Sequence, residues 1–421
     1  MAAKAPIPSP SAIIQSMAQY DVQRGDNLYT LAMRFLVRSG DYRVVQRLNR
    51  IADPRKVPVG RPLRIPRELL KHEPIRGVVY SLHGAVRIDG RAAAAGMAVR
   101  EGALIATGAK SFVTLMLPDG TAVSLPSQSA VRVQRLRRIL LDNHVERLFG
   151  IEEGRANASV TPMIDPLSDF RFSTPGAISS VRGTRFRMSY DLHTQHTTSE
   201  VLEGKVAFEP AQEQAPQLLA AGYGSATSLP GPVPLLAAPE LIAAGKVQSE
   251  ENIRFALKPL PGADRYHLQI GADAGFLEVL DETEGTSLEE KFSSLPNGTY
   301  FVRATAIDAN QLEGKPATYA FERRLNRIST SSESSRVGRY RQYLFRWRTP
   351  DASDARYRFQ FVNVADPSKP LVDETGLTGQ SFVITDLPKG SYQWRVMTTQ
   401  TIEGKSYSKW SDYSELAIEG F

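Results

Sequence analysis

The sequence predicts a mainly β, multidomain protein: a small βααβ module, then an all-β domain, then two β-sandwiches in series. Three observations carry this expectation. A strand–helix–helix–strand pattern fits into Tyr20–Pro66, short apolar runs broken by turn residues dominate the chain beyond it, and a pattern recurs at an offset of 90 to 92 residues towards the C-terminus. At 421 residues the chain is too long for one ordinary core.

Residues 1–17 read as a disordered tail, because Pro6, Pro8 and Pro10 interrupt any continuous apolar segment. They do not read as a signal peptide, so the chain either keeps to the cytoplasm or has already lost a leader. Over 18–74, Tyr20-Asp21-Val22 alternates like a strand and turns at Gly25-Asp26-Asn27. Leu28, Leu31, Ala32 and Phe35 then recur at helical spacing, with Asp26 or Asn27 placed to cap that helix. Asp41 is placed to cap a second helix with Val44, Val45 and Leu48 on its apolar side. After Asn49-Arg50, Pro58-Val59-Gly60-Arg61-Pro62 leads into a last strand, Leu63-Arg64-Ile65.

Tyr20, Val22, Gly25, Asp26, Leu28, Asn49, Gly60, Leu63, Ile65 and Pro66 together resemble the LysM pattern, although Asn27 stands where Thr or Ser is usual. That resemblance implies a shallow groove for N-acetylglucosamine glycans. Carried over by position, it marks Gly25, Asp26, Asn27, Leu28 and Tyr29 on one loop and Asn49, Arg50, Ile51, Pro58 and Val59 on the other. Leu28 and Ile51 would pack on acetamide methyl groups. Peptidoglycan is the partner so implied.

From 77 to 210 the chain reads as an all-β domain. Pro118-Asp119-Gly120-Thr121 predicts a tight hairpin in which Asp-Gly supplies the positive φ angles. Gly84, Gly154, Gly183 and Gly204 each punctuate an apolar run, as bulges or strand ends do. Asp119 and Gly120, Pro175 and Gly176, and Arg182-Gly183-Thr184 before Arg185-Phe186 lie within a series of motifs that resembles the FecR domain. Arg182, beside Gly183, is expected to make buried structural bonds. The familiar FecR members span a membrane, and this chain has no run of 18 or more apolar residues.

Residues 211–245, rich in Ala, Pro, Gly and Leu without periodicity, are expected to be a linker. Arg265–Ile270 recurs as Arg356–Phe361, Leu295–Tyr300 as Leu387–Tyr392, and Glu313-Gly314-Lys315 as Glu403-Gly404-Lys405. The Leu-x-x-Gly-x-Tyr element is similar to a tyrosine corner, and with Trp347 it resembles fibronectin type III. The sandwiches are expected over 246–326 and 337–421, joined by a Ser-rich connection at about Leu325–Val337, with Ala256-Leu257 near the first copy's counterpart of Trp347.

Charge is unevenly placed. Residues 1–76 carry fourteen Lys and Arg against six acids, +8 against a total of +6 for the whole chain, and the remainder is close to neutral. This is either a solvated basic face or an attraction to a polyanion. The arginines of 132–147 suit strands with basic outward faces and lack stacking aromatics, so nucleic acid is not expected.

Catalytic signatures are missing from the sequence. The absence of cysteine excludes disulfides and thiol chemistry. His193 and His196 with Asp191 make a poor metal set, and Glu152-Glu153 a poor glycosidase pair. No catalytic residue, metal or cofactor is expected. The resemblances imply a periplasmic or envelope-associated binding and scaffold protein with a protein partner. Two alternatives stay open: a soluble sensor in envelope signalling, and a wall-modifying enzyme targeted by its glycan-binding module.

Overall fold

The computed structural model describes residues 17–165, 167–211, 215–245, 247–350, 354–402 and 404–419. The expected tail at 1–16 lies outside these, as does Glu403 of the repeat, while Met17 already belongs to a strand. The chain is mostly β and clusters into two compact units.

The first unit opens with the small module. Strand β1 (Met17–Asp21) pairs antiparallel with β2 (Pro62–Pro66), Tyr20 opposite Leu63. Between them run helices α1 (Leu28–Phe35) and α2 (Tyr42–Leu48). Asn27, not Asp26, caps α1: its Oδ1 accepts from the Tyr29 and Thr30 amides, and the Thr30 hydroxyl accepts from the Asn27 amide. Asp41 makes no side-chain cap for α2, because it sits in a 3-10 turn with a helical backbone of its own. Leu48, expected on the apolar side of α2, faces solvent. The core is Ala18, Val22, Leu28, Leu31, Ala32, Val45, Ile51, Leu63 and Ile65, and it extends to Ile139 and Leu141 of the neighbouring β domain.

That β domain begins earlier than the sequence suggested. Strand His72–Pro74 pairs with Arg137–Ile139, so the module's exit segment is already part of the β-ladder. From there to Val233–Pro234, eighteen strands form a ladder that closes on itself. Strand Val145–Ser159 spans both halves of this ladder. Residues 145–153 pair with Ala130–Arg138 and run parallel to Asp169–Ser173, whereas 154–159 pair with Arg185–Tyr190. The change of partners falls at Gly154, where φ is +79° and a Cβ would lie 2.4 Å from the Gln128 carbonyl oxygen. Only glycine fits there. Inside, Phe149, Phe170, Phe172 and Phe186 stack edge-on and tilted with ring centroids 5.1–6.2 Å apart.

The stretch expected as a linker folds. Gln217–Ala220 pairs with Lys205–Phe208, Tyr223–Ala226 pairs with Thr198–Glu200, and Leu219 and Ala226 are fully buried. The hairpin also differs in detail. Phe112–Met116 and Ala122–Leu125 are joined by a turn in which Gly120 alone has positive φ, at +83°. The Gly120 amide donates to the Leu117 carbonyl and the Leu117 amide to the Thr121 carbonyl. This is the longer turn with a left-handed last residue.

The second unit holds two sandwiches. In the first, a three-stranded sheet (Leu241–Ile242, Ile253–Leu257, Glu289–Phe292) faces a four-stranded one in the order Val279–Gly285, Arg265–Gly271, Gly298–Ile307, Ala317–Arg323. The second repeats the plan around Trp347, Trp394, Phe345, Phe359 and Phe361. In each, a tyrosine corner forms: the Tyr300 hydroxyl donates to the Pro296 carbonyl (3.1 Å) and Tyr392 to Pro388 (3.0 Å). Both are fibronectin III-like. Leu257 takes the position of Trp347 in the first copy, its amide donating to the Leu288 carbonyl as the Trp347 amide donates to Gln380, and Phe255, with Phe292 and Phe321 around it, matches Phe345. The Ser-rich connection is itself structured, since Ser329–Val337 is the edge strand of the second sandwich.

Candidate functional site

The glycan-site residues expected from sequence gather at one end of the small module, on two loops that touch. The first is fixed by Gly25 at φ +92° and by Asp26, whose carboxylate accepts from the Tyr20 hydroxyl (2.7 Å), the Gln23 amide (2.8 Å) and Arg34 (3.4 Å). Burial, and then the bond to Asp26, raises the pKa of Tyr20. Asp26 and Asn27 are thus consumed in building the loop and the α1 cap.

The second loop leaves α2 through a left-handed turn. The Ile51 amide donates to the Gln46 carbonyl and the Arg50 amide to the Arg47 carbonyl, with Arg50 at φ +51°. This is a Schellman ending with arginine where glycine is favoured. Asn49 staples helix to strand: its Nδ2 donates to the Val45 and Arg64 carbonyls, and its Oδ1 accepts from the Arg64 amide. The Leu28 amide donates to the Pro54 carbonyl at 2.9 Å and joins the two loops.

Leu28 and Ile51, expected to meet acetamide methyls, are core residues instead, 2% and 6% exposed. Their apolar side chains serve the module before any ligand. Tyr29 and Val59 are the apolar side chains open to solvent among the predicted set, with Pro58 exposed beside Val59. The motif did not point to Tyr42. Its ring lies 4.5 Å from that of Tyr29, tilted by 50°. The hydrogen bond between the two hydroxyls raises the pKa of Tyr29, while bonds from Arg43 and Tyr29 lower that of Tyr42. Tyr42 is the first residue of α2 and Tyr29 lies in the first turn of α1, so the contact joins the starts of the two helices, and no local spacing marks it.

The residues of the second sequence motif build turns in the β domain. Asp119 pairs with the buried Arg147 at 2.7 Å. Thr174 orders Pro175-Gly176 by accepting from the Gly176 and Ala177 amides. Gly183 has φ +115°, and a Cβ there would come within 2.7 Å of Pro162. The buried Thr184 hydroxyl donates to the Lys205 carbonyl. Arg182 is exposed, contrary to expectation, because it sits in the bend just past the strand that ends at Val181. The buried arginines of this unit are Arg147 and Arg187.

Other chemistry is thin among the described residues. No group of three or more metal-ligating side chains forms. Asp191 accepts from the His193 and Thr194 amides, which explains it as a turn residue. Three of the four arginines of 132–138 find carboxylates: Arg132 with Glu152, and Arg135 and Arg137 with Glu146. That offsets part of the basic face. Among the described residues no helix is long and apolar enough to cross a membrane.

Comparison with known families decides the matter. Residues 20–66 match the LysM domain and residues 103–207 match the FecR protein family. The chain carries a LysM domain and a FecR domain. Neither family is catalytic. No curated protein matches the chain. Among solved structures, the LysM–FecR chain is similar to a Parabacteroides distasonis protein described as a candidate anti-sigma factor, at 23% identity and TM-score 0.25. The match covers 29% of this chain and 53% of the other, about half its length. A two-domain fibronectin type III segment of chicken tenascin is 16% identical, covering 42% and 98% with TM-score 0.21. Fibronectin(III)-like modules of Clostridium thermocellum CbhA are 8% identical, covering 42% and 90% with TM-score 0.22.

Proposed function

We propose that this chain is a non-catalytic cell-envelope protein that binds N-acetylglucosamine glycan, peptidoglycan above all, through its LysM domain. The FecR-like domain and the sandwiches then present surfaces to a protein partner in the periplasm or envelope. The observation that supports this best is the Tyr29–Tyr42 pair, with Tyr29 open to solvent, beside the two joined loops. Sugar rings carry apolar C–H faces that pack on aromatic rings, and a shallow site of this kind binds weakly per module. The FecR match favours a second reading, a sensor component of an envelope signalling system.

Co-sedimentation of the full chain with peptidoglycan sacculi, over a salt series, tests the first reading. Tyr29→Ala with Tyr42→Ala is expected to weaken retention about tenfold, roughly the 1.4 kcal/mol of one lost stacking partner. Tyr29 is exposed and Tyr42 only half-buried at the edge of the core, so the fold should survive the change. Retention equal to wild type would remove the glycan site from these loops.

A further inference from the structure

The outer face of α2 is lined by arginine and leads away from the aromatic pair. Arg43 and Arg47 stand four residues apart, Arg50 comes three later, and all three are exposed. That spacing puts Arg43 and Arg47 on one side of α2, and Arg50 follows in the left-handed turn just past its end. Arg64 of β2, also exposed, is held next to the end of α2 by the two Asn49–Arg64 hydrogen bonds of 2.7 Å. At the other end, the Arg43 Nε donates to the Tyr42 hydroxyl at 3.3 Å, and its guanidinium sits 5.7 Å from the ring centroid. The cationic residues therefore begin beside the aromatic pair and continue past the end of α2.

Two features of this face work against the module's own stability. Like charges four apart on a seven-residue helix weaken it. Arg50 holds a left-handed backbone that glycine would adopt without strain. Among the described residues no carboxylate pairs with any of the four arginines, although Arg34 does find Asp26 elsewhere in the module. Arg132, Arg135 and Arg137 of the FecR domain, by contrast, reach Glu152 and Glu146 in their own sheet. An exposed cationic row left unmatched, and kept at a cost to the fold, fits a ligand that supplies the anions.

We propose that Arg43, Arg47, Arg50 and Arg64 form an anion subsite that reads carboxylates carried on a glycan strand, such as those of short peptide branches. The inference rests on the glycan reading above, with the sugars on Tyr29 and Tyr42 and the charged branches along α2. Guanidinium forks match carboxylates in geometry, and rows of them suit repeated groups along a polymer.

The test is titration of the full chain with three probes: chitohexaose, soluble peptidoglycan strands bearing their peptides, and the same strands with the peptides removed enzymatically. Peptide-bearing strands should bind about tenfold tighter than stripped ones, the advantage fading with salt. Arg47→Gln with Arg64→Gln should erase that advantage and leave chitohexaose binding as it was. Arg50→Gly should raise the melting temperature and weaken binding of the peptide-bearing strands. Three results would overturn the subsite: equal binding of stripped and branched strands, an advantage that survives the arginine substitutions, or equally tight competition by a single-stranded oligonucleotide of similar charge. If chitohexaose and stripped strands do not bind wild type but branched strands bind in an arginine-dependent way, the subsite stands and the aromatic sugar site falls.

Discussion

Arg323 is fully buried at the edge of the first sandwich, and its guanidinium donates to the carbonyls of Gln248 (3.0 Å), Glu251 (2.9 Å), Leu295 (3.3 Å) and Glu250, and to the Ser294 hydroxyl. It closes the ends of several chain segments at once, a role assigned by tertiary position. Sequence reasoning placed a buried structural arginine at 182, where a glycine neighbour suggested it, because acceptors contributed from 28 to 75 residues away leave no local trace. Glu200 is a second buried charge. Burial pushes its carboxyl up to about 7, against the pull of Arg187 and a hydrogen bond from Thr198. The folded value lies above the ordinary glutamate value of 4.5, so with rising pH the unfolded chain releases this proton first. The stabilisation is complete below about 4.5 and is lost as pH climbs through about 7, at most roughly 3 kcal/mol. Glu200→Gln should flatten that slope and raise the denaturation midpoint above neutral pH. Urea melts of both proteins across this range decide it, and parallel slopes would refute the assignment.

At the scale of elements, Val145–Ser159 shows what one glycine can do. Gly154→Ala must bring a methyl against the Gln128 carbonyl and Ser129 while keeping a left-handed backbone, which costs about 2–4 kcal/mol. A melting temperature within a degree of wild type would show that the strand can pass between its two sets of partners without glycine. The turn glycines were legible because positive φ leaves few residues to choose from, and βααβ order was legible because helical spacing and caps are local. The segment 211–245 was not. Its strands are two to four residues long, too short for a period, and they form by adding to edges built elsewhere in the chain. The same limit hid the roles of Leu28 and Ile51. A motif names positions, whereas burial depends on what the second helix and β2 bring against them.

At the scale of the molecule, the LysM domain and the β domain share a core through Ile139 and Leu141 and a strand pair through His72–Pro74. Arg67 also reaches the His144 ring, beside Glu146. Burial alone would raise the Glu146 carboxyl, but hydrogen bonds from His144 and Arg137 hold it down to about 2. Removing residues 1–71 should therefore lower the β domain's melting temperature by about 4 °C or more, and the two domains should unfold in one calorimetric transition. Separate transitions, with an unchanged second midpoint, would disprove the shared core. The two sandwiches are likewise joined by polar bonds, Glu322 accepting from Tyr407 (2.6 Å) and Lys405 (3.2 Å), and Lys409 reaching Glu250 (2.9 Å). The strand pair at His72–Pro74 has a mechanical meaning as well. A pull on the N-terminal domain meets no slack tether: the load enters Ala130–Ile139 directly and passes to Val145–Ser159, which spreads it across both halves of the ladder.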